Sequence, residues 1–182
     1  MITIVVIVIV ALIVLWIIGI YNRLVGLRQT CRQGNADIDA QLRQRHDLIP
    51  NLVATVKGYA AHEQDTFDRV IAARNRAETA PSVESERELS GALGRLVALG
   101  EAYPDLKASA NFQALQGELA DVEDKLAAAR RALNAAAARY NAGRESFPAV
   151  LFASAMGFEP VAFNELAGDE RAKVGAVPEV SF

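Results

Sequence analysis

The sequence is poor in the residues on which disulfide scaffolds and metal sites depend. It has one cysteine and two histidines among 182 residues. A single cysteine excludes an intramolecular disulfide framework and any Cys-x-x-Cys motif. His62 is followed by Glu63, but Thr66 stands where the second histidine of a zinc-protease helix would be. His46 lies sixteen residues before His62, too far for a local ligand pair. We therefore expect no metal site.

Motifs for nucleotide chemistry and nucleophilic catalysis are also absent from the sequence. There is no phosphate-binding loop, and the glycines at Gly91 and Gly94 lie in a helical pattern without a preceding strand. No serine stands in a nucleophile elbow. The net charge of -3 gives no general attraction to nucleic acid. We predict a protein that is not an enzyme, with no catalytic residue, no cofactor and no nucleic-acid partner.

What the sequence does have is a long apolar run at its beginning. Residues 2–20 carry no charged side chain, and nineteen residues of helix span roughly 28 Å, close to the hydrocarbon core of a bilayer. Trp16 and Tyr21 lie at one end, as interfacial aromatic residues do. Only Met1 precedes the run, and no small-residue cleavage site follows it, which is unlike a signal peptide. We predict an uncleaved transmembrane anchor over residues 1–21, in contact with membrane lipid.

Basic residues lie on one side of this run only. Arg23, Arg28 and Arg32 follow it, and no basic side chain precedes it. The positive-inside rule then places the C-terminal body in the cytoplasm. We predict that Trp16 and Tyr21, together with Arg23 and Arg28, lie at the membrane interface.

Apolar residues recur at helical spacing through the next part of the chain, and Pro50 does not break their phase. Leu42 and Val53 share one stripe on either side of the proline. The proline deprives the His46 carbonyl of its helical donor and costs about 3 kcal/mol. The spacing favours a long bent helix over roughly residues 37–78, against the alternative of a break just before the proline.

Two further helices follow, of unequal length. Pro81 ends the long helix, and Ser82 is a candidate N-cap for a short helix that closes at Pro104. The next helix repeats apolar residues at alternating threes and fours over four heptads, to Tyr140. Its candidate assembly seam consists of Leu115, Leu119, Val122, Leu126 and Leu133.

The remaining residues form an apolar segment and a tail. Residues 147–163 are strongly apolar, and Pro148 is a candidate start for a short helix. The segment either caps the end of a bundle or lies on the membrane surface. Capping is favoured, because no basic residue lies between Glu145 and Asn164. The tail over residues 164–182 is expected to be mobile or extended.

One polar cluster is a candidate partner surface. Arg43, Arg45, His46 and Asp47 lie beside Pro50, where the proline leaves a carbonyl open. The alternative is an ordinary solvated helix face.

Several stretches resemble the LemA family of bacterial membrane-anchored proteins. They are "YNRLVGLRQ" at Tyr21, "QRHDLIPNLVATVKGYAAHE" at Gln44, "ANFQALQGELADVEDKLAAARRALNAAAARYN" at Ala110, "ESFPAVLFASAMGF" and the closing "VPEVSF". The chain departs from its relatives at "RHDLIP", where they often carry a second arginine and an aromatic residue. The resemblance implies an all-α protein of the inner membrane, with one transmembrane helix and an antiparallel bundle of three to four long helices over residues 22–146. It does not imply an enzyme.

Three functions from different classes follow from these features. The first is a membrane-anchored scaffold that forms a homo-oligomer, because unequal helices leave apolar faces to cover and an anchor concentrates copies in two dimensions. The second is an adaptor that presents a helical groove or the C-terminal tail to another membrane or cytoplasmic protein. The third is a membrane-remodelling factor that uses the apolar segment as a second contact.

Overall fold

A computed structural model describes residues 1–164, and every regular element in them is helical. The five α-helices are α1 (Ile2–Lys57), α2 (Gln64–Thr79), α3 (Val83–Ala102), α4 (Pro104–Lys107) and α5 (Ala110–Glu145), followed by a 3₁₀ turn (Ala149–Leu151). The predicted all-α class is confirmed, with a long apolar N-terminal helix followed by helices that pack together. The predicted tail lies outside the described residues, apart from Asn164.

The described residues form two compact units. The first unit comprises residues 1–38 and 128–164, and the second comprises residues 39–127. In the first unit α1 and α5 are antiparallel neighbours. A Cβ added at Gly143 would lie 3.0 Å from Leu27, and one added at Gly34 would lie 3.3 Å from the Cα of Leu133. Glycine at position 34 therefore allows the two backbones to approach closely.

The second unit has an apolar core to which α1, α2, α3, α4 and α5 all contribute. Large side chains of this core that are at most 1% exposed include Ile49, Leu52, Val56, Phe67, Val70, Leu89, Leu96, Leu106 and Phe112. The α1 and α5 segments are antiparallel here as well, and the Asn111 amide donates to the Thr55 hydroxyl at 3.1 Å. Burial of these side chains is the main term that stabilises this unit.

Helix α1 runs through Pro50 without interruption, as the apolar phase predicts. The carbonyl of His46, which lacks its helical donor, accepts a hydrogen bond from Nε of Arg74 at 2.9 Å. The open carbonyl is therefore filled by a side chain of α2. This contact offsets part of the cost of a proline inside a helix.

The predicted extension of this helix to residue 78 is wrong. Helix α1 ends at Lys57, and α2 begins at Gln64 after a turn that contains Gly58. Had the helix continued, its last 21 residues would have extended roughly 31 Å further along the same axis. The turn instead lets Phe67 and Val70 reach the core, where they are 1% and 0% exposed. Core burial outweighs helix continuity at this point.

Helix α3 begins with the predicted cap. The Ser82 hydroxyl accepts from the backbone amide of Ser85 at 3.0 Å, and the Ser85 hydroxyl accepts from the Ser82 amide at 2.9 Å. Two of the free amides at the helix start are thereby satisfied.

The apolar segment after α5 packs along the first unit. Phe158 is fully buried, and its ring contacts Tyr21 edge-on with the centroids 5.4 Å apart. The Tyr140 hydroxyl donates to the Glu159 carbonyl at 2.8 Å. Asn141 both donates to and accepts from the backbone of Val161, at 2.8 and 3.0 Å. The side chain of Asn134 likewise donates to and accepts from the backbone of Asn164. These contacts fix residues 158–164 along the surface of α5.

Candidate functional site

The candidate partner surface of the sequence divides into two groups in the structure. Arg43, Asp47 and Pro50 are exposed, whereas Arg45 and His46 are only 3% and 6% exposed. A solvated helix face is therefore not the environment of these last two side chains. A partner surface at the three exposed residues stays a prediction.

Arg45 and His46 belong to a buried ion cluster inside the second unit. Glu86 of α3 accepts from Nη1 of Arg45 at 3.2 Å, and its other oxygen lies 3.1 Å from Nε2 of His46. Nη2 of Arg45 reaches the Ser90 hydroxyl at 2.7 Å and a carboxylate oxygen of Glu123 at 2.8 Å. The cluster thus links α1, α3 and α5. We call these five residues, Arg45, His46, Glu86, Ser90 and Glu123, the ion cluster.

The charges of the ion cluster explain why it tolerates burial. An isolated buried guanidinium is costly, and Arg45 meets two carboxylates and a hydroxyl. An ionised Glu86 can only accept, so Nε2 of His46 carries the proton in their contact. Glu123 is 48% exposed at its side chain, so Glu86, at 10%, is the buried counter-ion. Nε of Arg45 has no hydrogen-bond partner, which leaves one buried donor unsatisfied.

The ion cluster does not have the geometry of a nucleophilic site. The Ser90 hydroxyl donates to the Glu86 backbone carbonyl at 2.9 Å and accepts from Arg45, so its proton does not face a base. His46 contacts Glu86 rather than the serine. Within residues 1–164 there is no group of three or more His, Cys, Asp or Glu side chains that could hold a metal ion. This arrangement connects α1, α3 and α5 through buried ion pairs and hydrogen bonds, which is a structural role.

Sequence reasoning missed Glu86 and Glu123, although a signal was present for the first. Glu86 is three residues before Leu89 and lies on the apolar stripe of α3. Arg45 and His46 likewise lie between Leu42 and Ile49 on the stripe of α1. Charged residues at inward-facing positions of two helices indicate a buried pair, since single charges are rarely buried.

A shallow cleft opens beside the ion cluster, between α3 and α5. Its volume is about 440 Å³, and most of its exposed lining surface is apolar. The lining residues are Arg45, Ser90, Leu93, Gly94, Val97, Gln116, Leu119, Ala120 and Glu123. A Cβ added at Gly94 would meet no atom within 4 Å, so the cleft is open at this residue. The cleft is a recess of the second unit in which a partner side chain or a small ligand would fit.

The predicted membrane-interface residues lie at the end of the apolar part of α1. None of residues 1–23 is buried, and Trp16, Tyr21 and Arg23 are exposed. Helix α1 is long and apolar enough to cross a membrane. Arg28 is partly covered, because its guanidinium lies 4.9 Å from the centroid of the Phe158 ring. This stacking is a cation–π contact.

The candidate assembly seam is filled within the single chain. Leu115, Leu119, Val122 and Leu126 are buried in the second unit, and Leu133 is buried in the first, all at 9% exposure or less. Helices of the same chain already cover this stripe. Assembly of separate copies through the seam stays a prediction, and it would require these helices to part.

These observations define the class of the protein. The regular elements of residues 1–164 are helical, and one helix among them is long and apolar enough to cross a membrane. This arrangement fits a membrane-associated helical protein.

The model of the LemA family matches residues 34–182, and the chain belongs to this family. The chain is similar to magnetosome protein MamQ of Magnetospirillum gryphiswaldense, with 25% identity over 173 residues, covering 79% of this chain and 64% of that protein. It is also similar to magnetosome protein MamQ 2 of Paramagnetospirillum magneticum, with 24% identity over 169 residues, covering 76% and 62%. The chain thus spans less than two thirds of the length of these relatives. The predicted family is confirmed.

Proposed function

We propose that this protein is a membrane-anchored, non-enzymatic helical scaffold that self-assembles at the bacterial inner membrane. The observation that carries the proposal is the continuity of α1, which runs from the exposed apolar residues into the packed body without a break. Within the first unit, the continuous helix transmits the position of the anchor to the part of α1 that packs against α5. Relatives of the chain are named magnetosome proteins, and a structural role suits that name better than a catalytic one.

The anchor is supported by the distribution of apolar surface. Large side chains such as Ile4, Leu12 and Leu15 are at least 61% exposed in the isolated chain. Lipid removes this surface from water, which is strongly favourable. Arg23 and Arg32 are exposed just beyond the run, and the charge rule then directs the C-terminal body to the cytoplasm.

Reporter fusions test this orientation. We expect green fluorescent protein at the C-terminus to fluoresce and alkaline phosphatase at the same position to remain inactive, because the phosphatase matures only outside the cytoplasm. An active phosphatase fusion would reverse the proposed topology.

Self-assembly is supported by two features. An anchor confines copies to a plane and raises their effective concentration. The body also exposes large apolar side chains, such as Tyr59 at 49%, Ile71 at 45% and Val83 at 63%. Since the heptad seam is filled, we expect contacts between copies to use other faces.

The mass of the full-length protein in nanodiscs, beside a variant that begins at Tyr21, tests self-assembly. A large defined oligomer of the full-length protein supports the scaffold. A full-length protein that stays monomeric at high density in the bilayer contradicts it.

The cleft between α3 and α5 favours a second candidate function, an adaptor for another membrane or cytoplasmic protein. A photo-crosslinking residue at Gly94 would lie at the open part of the cleft, whereas one at Gly91 lies on the same helix outside its lining. A crosslink from position 94, and not from 91, to a different protein would support the adaptor. A crosslink to a second copy of this chain would support the scaffold instead.

A further inference from the structure

Three large apolar side chains project from the turn that follows α5. Phe147 is 78% exposed, Val150 is 51% exposed and Leu151 is 72% exposed. We call these three residues the terminal patch. No charged residue occurs between Ser146 and Phe158. Neighbouring exposed residues of this size and polarity are uncommon on a surface that faces water alone.

The terminal patch is held in place by the residues on its other side. Ala149 and Ala153 are 4% and 2% exposed, and Phe158 is fully buried. Nε of Arg144 donates to the Phe158 carbonyl at 2.8 Å. Gly157 adopts a φ of +76°, a conformation that few residues other than glycine accept, and this turn directs Phe158 inward. The patch is therefore a presented surface rather than a loose end.

The antiparallel register of the first unit places the terminal patch near the end of the apolar run. Gly143 of α5 faces Leu27 and Leu24 of α1. Both helices rise about 1.5 Å per residue, so the residues that follow Glu145 reach the level of roughly residues 20–23 of α1. The backbone amide of Phe158 donates to the Ala153 carbonyl, in the same turn as the patch. The Phe158 ring contacts Tyr21, which supports the same level independently.

We propose that Phe147, Val150 and Leu151 form a second membrane contact, inserted into the interfacial layer on the side from which α1 leaves the bilayer. The inference rests on the proposed anchoring through α1. Its occupant is lipid, because the patch adjoins the level at which the exposed apolar surface of α1 begins. No basic residue lies between Glu145 and Asn164, so the contact depends on apolar insertion rather than on anionic headgroups. Two contacts with one membrane fix the rotation of the first unit about the axis of α1.

Site-directed spin labelling of the full-length chain in phosphatidylcholine vesicles tests the proposal. Single cysteines replace Leu151, Leu12 or Ala132 in a Cys31→Ala background, and Val150→Cys repeats the test. Leu12 reports on the apolar run, and exposed Ala132 reports on α5 eleven residues before Gly143, roughly 16 Å away along the helix. Accessibility to oxygen measures lipid exposure, and accessibility to a water-soluble nickel chelate measures exposure to water. Far-ultraviolet circular dichroism verifies that each labelled protein is helical.

We expect the label at position 151 to lose accessibility to nickel and gain accessibility to oxygen, as the label at position 12 does, while the label at 132 remains aqueous. If 151 behaves like 132 while 12 is in lipid, the terminal patch is not a membrane contact and the anchor stands. If all three labels are aqueous, the anchor itself fails. If 151 loses access to both reagents and regains it on dilution with lipid, a second copy covers the patch, and the lipid assignment is overturned.

Discussion

Glu86 is the buried carboxylate that Arg45 and His46 share, and we predict that Glu86→Gln strongly destabilises the second unit. The amide has one acceptor and one donor group where the carboxylate has two acceptors. Nη1 of Arg45 and Nε2 of His46 approach the two oxygens at 3.2 and 3.1 Å. The NH₂ group of the glutamine must then face either Nη1 of Arg45, which is also a donor, or Nε2 of His46, which would have to move its proton to Nδ1 in order to accept. The substitution also removes the negative charge that balances a guanidinium only 3% exposed.

The size of the effect follows from what remains around Arg45. Removing one partner of a buried ion pair costs about 3–5 kcal/mol when the other charge is left uncompensated. Arg45 keeps the Ser90 hydroxyl at 2.7 Å and the half-exposed Glu123 carboxylate at 2.8 Å. We therefore expect a loss of about 2–3 kcal/mol in the free energy of unfolding, below the full range. For a chain of this length, that loss lowers the melting temperature by about 4–12 °C.

The assay is thermal unfolding of the full-length protein in nanodiscs, followed by circular dichroism. Glu88→Gln is the matched control, because Glu88 pairs with Arg76 at the surface, with side-chain exposures of 45% and 57%. This pair is expected to contribute less than about 1 kcal/mol. The double variant Arg45→Met with Glu86→Leu should recover part of the loss, because it removes both charges of the pair. The recovery is incomplete, because the buried His46 loses its contact with Glu86. If Glu86→Gln melts no lower than Glu88→Gln, the assignment of a buried ion cluster is refuted.

Three further predictions concern other parts of the chain. Arg74→Met removes the donor to the His46 carbonyl and should cost about 1–2 kcal/mol in the free energy of unfolding. Adding Pro50→Ala supplies a backbone amide to the same carbonyl and should recover the loss, so equal melting temperatures for the single and double variants would contradict this. Gly100→Ala would place a Cβ against the buried ring of Phe112 in α5 and should cost about 1–3 kcal/mol. Gly94→Ala on the same helix meets no atom within 4 Å and should be neutral or stabilising by up to about 1 kcal/mol, so denaturant unfolding must separate the two. Burial raises the pKa of the Cys31 thiol. The contribution of the buried thiol to stability is therefore complete below the unfolded pKa of about 8.5 and is lost as pH rises through the folded pKa. The melting temperature of Cys31→Ala should fall less steeply with rising alkaline pH than that of the unaltered protein.

The course of α1 could be predicted from the sequence only in part. Continuity through Pro50 follows from the shared stripe on either side of it, because a real break would have shifted the phase. The end at Lys57 could not be read in the same way. Ala60 and Phe67 are seven residues apart and keep helical spacing across the turn. A single Gly58 is a weak signal within such a pattern.

The ion cluster shows why site prediction failed where helix prediction succeeded. Helix phase is a local property, whereas the pairing of Arg45 with Glu86 joins residues 41 positions apart. The stretch "RQRHD" contains both exposed and buried residues, and polarity alone predicts that all of them are exposed. Only the position of Arg45 and His46 on the apolar stripe indicates burial. Which carboxylate contacts Arg45 and His46 depends on how α3 packs against α1. The spacing of residues within a single helix does not specify this packing.

The filled seam of α5 bears on where copies of the chain could meet. A heptad repeat requires a neighbouring helix, but the packing of knobs into holes is the same whether the neighbour belongs to the same chain or to another. Leu119 and Leu126 are buried by the chain's own fold, so the repeat is already accounted for and gives no separate support to an oligomer. Self-assembly must then be sought on surfaces that the single chain leaves open. These surfaces include the exposed apolar residues of the body and the lipid-facing side of α1, which would hold neighbouring copies side by side in the plane of the membrane.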